Sequence, residues 1–173
     1  IKKAASDNDS TNYEAVTYEG YGPSGVAVIV EALTDNRNRT AGEVRHYFDK
    51  FGGNMGTQGC VSFMFSKKGV LVIEREELEK DEDTVMSDAL ECGAADFEAD
   101  DDIFTIYTEP EDFSAVRDDL DKLGYTFASA ELEMVPSTYT KLDDEDTATK
   151  MQKMLDMFED NDDIQNVWHN WEF

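Results

Sequence analysis

The sequence predicts an α+β fold in which one domain is interrupted by another. Two observations predict it. A complete β-α-β-β-α-β succession reads between residues 70 and 135, and a helix and a strand are left over after it. The leftover strand, Ile164–Trp171, finds no open position within 70–135. The economical arrangement returns it to the sheet begun by residues 13–65. The expected organisation is a helical remnant and linker over 1–12, a discontinuous α+β domain of 13–65 plus 138–173, and an inserted domain over 66–137.

The elements follow in order. Tyr13 to Glu19 has strand composition, and the β-branched run Val26 to Leu33 reads as a buried strand. Gly20-Tyr-Gly22-Pro-Ser-Gly25 between them has the spacing of a dinucleotide-binding turn. That turn must open a helix whose first amides hold a pyrophosphate. Here a strand follows, so the reading is a hairpin turn. Thr40-x-x-Glu43 is a capping box, and Val44, Tyr47, Phe48 and Phe51 form one apolar stripe. This places a helix over 41–51, stopped by Gly52-Gly53. A glycine-rich loop leads into Cys60–Phe65, and Ser66-Lys67-Lys68-Gly69 reads as a turn into Val70–Ile73, a hairpin. A helix over 81–92 turns Val85, Ala89 and Cys92 inward and ends at Gly93. Strand 95–99 turns at Asp100-Asp101-Asp102 into strand 103–107. Pro110 opens a helix with Phe113, Val116, Leu120 and Leu123 on one face, and Gly124 ends it. Strand 127–135 closes the unit in the split, ferredoxin-like order. A last helix over 144–158 aligns Ala148, Met151, Leu155 and Phe158.

Composition narrows the function. The 173 residues are 40% hydrophobic, and the net charge is −25. Residues 1–69 hold eight Lys/Arg and eight Asp/Glu, whereas 70–173 hold seven and 32. Uniform charge of this sign would repel nucleic acid and anionic membranes. Any nucleic-acid or ribosome contact therefore belongs to the first third of the chain or lies outside it. No apolar run reaches a membrane-spanning length, and no membrane partner is expected. Cys60 and Cys92 have no metal-binding spacing and read as reduced thiols, which suits a cytoplasmic protein.

No side-chain set meets the requirements of catalysis. His46 and His169 are the only histidines, and neither sits near a Ser or Cys motif. Cys60 heads an apolar strand and reads as a core thiol. The runs Asp100–Asp102, Asp143–Asp146 and Glu159–Asp163 lack the glycine and terminal glutamate of a calcium loop. No catalytic residue, metal or cofactor is expected. The remaining signal is Arg37, Arg39, Arg45 and Lys50, the densest basic cluster in the chain. Arg37 and Arg39 flank the expected helix start, an arrangement that suits phosphate. The alternative is a solvated helix entrance with Arg45 paired to Asp49. Tyr13, Tyr18, Tyr21, Trp168 and Trp171 put aromatics in the same expected domain, as core, interface or base-stacking groups.

Tyr18–Glu31, Thr34–Arg45, Gly52-Gly53-Asn54 with Gly59-Cys60-Val61-Ser62-Phe63, Val135-Pro136-Ser137-Thr138 and Val167-Trp168-His169-Asn170 resemble, in order, the YebC/PmpR family. The resemblance implies a basic N-terminal helical domain, then an α+β domain carrying an inserted ferredoxin-like domain. Ile1-Lys2-Lys3 would match the end of that helical domain, which the chain otherwise lacks. It further implies a non-enzymatic regulator of gene expression, acting on DNA in transcription or on the translating ribosome. Its DNA or RNA contact would run mainly through the missing domain. No catalytic residue carries over. Monomer and weak dimer both remain open. A different class, a ferredoxin-like module that senses a small molecule, rests on fold analogy.

Overall fold

The computed structural model describes residues 12–76 and 78–172. The chain divides into two compact units. One takes in the described residues up to Ser66 together with those from Pro136 onward, and the other is Lys67–Val135.

The first unit is built on a sheet of order β3-β1-β2-β9. β1 is Glu14–Tyr21, β2 is Ala27–Thr34, β3 is Asn54–Met55 and β9 is Ile164–His169. β2 is its second interior strand, antiparallel to β1 on one side and β9 on the other. A central strand buried on both faces needs continuous apolar, β-branched sequence. Ala-Val-Ile-Val meets that need, and Ala27 to Val30 are all buried. The strand at 164–171 thus joins β2, 135 residues away in sequence. Within the expected 164–171, β9 stops at His169, and the next residue, Asn170, accepts on its side chain from Ala27 N–H at 2.8 Å and donates to the Thr138 carbonyl at 3.3 Å. β10, Trp171–Glu172, then pairs in parallel with β8, Thr140–Lys141.

Two helices complete this unit, α1 at Arg37–Lys50 and α4 at Glu145–Asp160. Val44 and Phe48 of α1 and Met151, Met154 and Phe158 of α4 are fully buried with Val26, Val28 and Val30. Phe48 and Tyr47 each meet Phe158 edge-on with ring centroids 5.5 Å apart, the geometry aromatic quadrupoles favour. Truncating Phe158 to Ala would cost about 3–5 kcal/mol.

The second unit runs through β4 (Phe65–Glu74), α2 (Glu82–Glu91), β5 (Asp96–Ala99), β6 (Ile103–Thr108), α3 (Phe113–Lys122) and β7 (Ser129–Pro136). Its sheet order is β5-β6-β4-β7. Leu71, Ile73, Phe104 and Ile106 pack with Val85 and Ala89 of α2 and Phe113, Val116 and Leu120 of α3. Asp81 caps α2 by accepting from Thr84 N–H, the Asx geometry that starts helices.

Two local expectations differ from the structure. The hairpin with its turn at 66–69 is absent: β4 runs unbroken from Phe65 to Glu74, and Ser62–Met64 forms a 3-10 turn before it. Gly69 is there for contact, since a Cβ would collide with Thr108 Oγ1 and with the Phe113 side chain, whose Cβ would lie 2.9 Å away. The helix expected over 41–51 begins one turn earlier, at Arg37.

Candidate nucleic-acid or ribosome interface

α1 owes its early start to Asn36. The Asn36 side chain accepts from Arg39 N–H at 3.0 Å, satisfying one of the free amides of the first turn. Thr40, expected as the cap, is fully buried instead. Its Oγ1 lies 2.8 Å from Thr34 Oγ1 and 3.0 Å from Asp163 Oδ2. Asp163 also takes Arg39 Nη2 at 2.8 Å, and this bond raises the guanidinium pKa. One carboxylate from the α4–β9 turn thereby ties down the start of α1.

The four basic residues therefore do different jobs. Arg39 is engaged by Asp163 and, at 3.4 Å, by Asp35. Arg37 reaches Glu14 at 3.3 Å, with both side chains more than half exposed; such a surface pair contributes little to stability. Arg45 is exposed, and no ion pair among the described residues holds it. Lys50 is exposed in the last turn, 5.6 Å from the Phe51 ring centroid. They do not gather at one point. From Arg37 to Lys50 the helix rises about 20 Å, so the cations are spread along its length. Gly42 lies midway on the exposed side, and a Cβ there would meet nothing within 4 Å. No packing constraint explains a glycine that costs helix stability.

On β1 a second feature went unread in the sequence. Glu19 is 3% exposed, a buried carboxylate. Its Oε2 accepts from Gly59 N–H at 2.9 Å, and its Oε1 accepts from Val61 N–H at 3.0 Å and Ser62 N–H at 2.8 Å. Burial pushes its pKa up, but these hydrogen bonds together outweigh burial and hold it below the ordinary value. The only available sequence signal was an acid in a strand facing a glycine-rich loop. Cys60, in that loop, has its thiol pKa raised by burial and by the Glu19 charge. A nucleophilic thiolate needs the opposite shift. Among the described residues, no three His, Cys, Asp or Glu side chains are placed to hold a metal ion, and no helix is long and apolar enough to cross a membrane.

A family model for the second and third domains of TACO1/YebC proteins matches residues 13–171. The chain belongs to the TACO1/YebC family. Relatives described as probable transcriptional regulatory proteins include one from Caldicellulosiruptor bescii, 62% identical over 172 residues, and one from Acetivibrio thermocellus, 64% identical over 171. Each alignment covers 99% of this chain and 70% of the relative. A crystal structure of a conserved hypothetical protein from Aquifex aeolicus superposes with a TM-score of 0.83 at 43% identity, again over 99% of this chain and 70% of that one. The TACO1/YebC chain described here thus corresponds to about seven-tenths of its relatives' length.

Proposed function

We propose that this chain is the body of a non-enzymatic, cytoplasmic regulator of gene expression that acts by binding, and that its target is RNA in the translating ribosome rather than bare DNA. The relatives' description as transcriptional regulators supports the broad role. The observation that carries the choice of partner is the distribution of charge. α1 lays Arg37, Arg45 and Lys50 along one helix at the surface of a chain whose net charge is −25. Unassisted DNA binding needs many held cations and fades steeply with salt. A short cationic helix suits a partner that already supplies other contacts. On this reading the chain is a discontinuous α+β domain of 13–65 plus 138–173 with a ferredoxin-like domain inserted over 66–137. DNA or ribosome contact would be shared with a segment outside these residues.

The test is co-sedimentation with ribosomes set beside retardation of duplex DNA, each over a salt series. Arg45→Ala with Lys50→Ala should weaken ribosome association by roughly tenfold and leave the melting temperature within about 2 °C. Arg39→Ala is the control, because its loss should destabilise α1 through Asp163. Tight DNA retardation without ribosome association would refute the choice of target. A second reading, small-molecule sensing, draws support from a cavity of about 430 Å³ in the second unit, lined by Ile73, Glu74, Glu76, Leu78 and Phe127. A cationic metabolite that raises the melting temperature of that unit would favour it.

A further inference from the structure

Residues 50–73 hold no Asp or Glu, the longest such run in a chain with 40 of them. Phe51–Ser66 carries no charge at all, and Lys50 and Lys67 bound it. Within this run the loop of residues 56–64 is fixed in a frame. Glu19 takes the amides of Gly59, Val61 and Ser62. Gly56 N–H bonds to the Glu19 carbonyl at 2.9 Å, Tyr21 Oη donates to the Cys60 carbonyl at 3.3 Å, and Met64 N–H closes on the Val61 carbonyl at 2.9 Å. Val61 is fully buried beneath. Phe63 projects from this frame with 77% of its surface exposed, the most of any large hydrophobic residue among those described.

Leaving a phenyl ring in water forfeits roughly 2 kcal/mol of burial. A ring on a loose loop would fold back onto the surface. Here the 3-10 turn Ser62–Met64 holds the ring outward, and the Ser62 amide that starts the turn is pinned by a buried carboxylate. The surroundings indicate what it meets. Thr57, Gln58 and Ser62 supply neutral hydrogen-bonding side chains. The carboxylate inside this frame, Glu19, is buried and accepts from three amides. A loop that carries no acid, in a run of sequence flanked by lysines, suits a phosphate-bearing partner in a chain this acidic. A greasy pocket on a protein would require only the ring.

We propose that Phe63 is a stacking platform for an unpaired RNA base, presented by the loop that Glu19 holds. This rests on the reading of the partner as RNA, and extends it from the cations of α1 to the loop that follows the helix. Aromatic stacking is tolerant of base identity, so the platform would read single-strandedness rather than sequence.

The experiment is titration of the isotope-labelled chain with a short single-stranded RNA of mixed sequence to millimolar concentration at low salt, followed by amide and aromatic NMR shifts. Resonances of residues 57–64 should move, with ring-current shifts at Phe63. Phe63→Trp should keep the effect. Phe63→Leu keeps apolar bulk without a π face, and should weaken the loop's apparent affinity by roughly fivefold or more while the spectrum elsewhere stays native. If α1 resonances move and the loop's do not, the platform is refuted and the RNA reading stands. If nothing moves, both fall. If Phe63→Leu binds as well as the native chain, the ring serves apolar contact, as a protein partner would use it, and stacking is refuted.

Discussion

Glu19→Gln changes two atoms' chemistry and nothing of the side chain's shape. The carboxylate accepts from three backbone amides, two on Oε1 and one on Oε2. A glutamine has one acceptor oxygen. If it takes the Oε1 position it keeps Val61 and Ser62, and sets its own N–H₂ against the N–H of Gly59. One donor is then buried without a partner, and two charge-assisted bonds become neutral ones. A bond to a charged group contributes about 1.5–3 kcal/mol and a neutral one about 1 kcal/mol. Relief from burying a charge offsets part of the loss. The expected net cost is about 2–3 kcal/mol at pH 7. That should lower the melting temperature of the unit carrying β1 by roughly 10–15 °C. Amide exchange at Gly59, Val61 and Ser62 should accelerate more than elsewhere, because the loop can open locally. The sign with pH follows from the direction of the shift. The folded pKa lies below the unfolded value of 4.5, so the stabilisation is complete above 4.5 and is lost as pH falls through the folded value. The gap between native chain and variant should therefore shrink below pH 4.5. A variant as stable as the native chain at pH 7, with unchanged exchange in the loop, would refute the claim that Glu19 organises it.

Three further outcomes are expected. Gly42→Ala should raise stability by about 0.5–1 kcal/mol, read as a higher denaturation midpoint, because the site is open; a loss of stability would mean the helix needs a glycine there. Asn170→Ala should cost about 1–3 kcal/mol, since Ala27 N–H loses its side-chain acceptor in a buried position, and urea unfolding would measure it. His169 is held below its ordinary 6.5 by burial, and its Nδ1 accepts from Trp171 N–H at 3.2 Å. The unfolded chain then takes up the proton first, so stability should fall as pH drops below 6.5, and His169→Gln should flatten that slope between pH 7 and 5.5.

How much was readable differs from element to element. α2 and α4 are set by local signals. Asp81 and Asp144 each accept from an amide three residues on, and the apolar spacing of each helix lies in consecutive turns. The run Val26–Leu33 announced a buried strand because a two-sided burial requirement writes itself into composition. Of the candidate site, Arg37, Arg39, Arg45 and Lys50 were visible as cations, but their division into anchored and unattached was not. Arg39 meets an acid 124 residues away, and nothing near Arg39 marks Asp163 as its partner. The glycines misled for the same reason. Gly69 reads as a turn in sequence, and only the side chains of Thr108 and Phe113 closing over β4 explain it.

By itself the sequence determined the secondary elements whose causes lie within a few residues, the confinement of the excess negative charge to residues 70–173, and the family. Tertiary structure alone decided where α1 begins, that β4 is one strand, and that the buried Glu19 and the half-buried Asp163 are organisers in a chain with 38 other acids. Caps and amphipathic stripes act between neighbours, so neighbours record them. A carboxylate's partners are chosen by proximity after folding, and one Glu or Asp looks like every other until its distant amides and hydroxyls have closed around it.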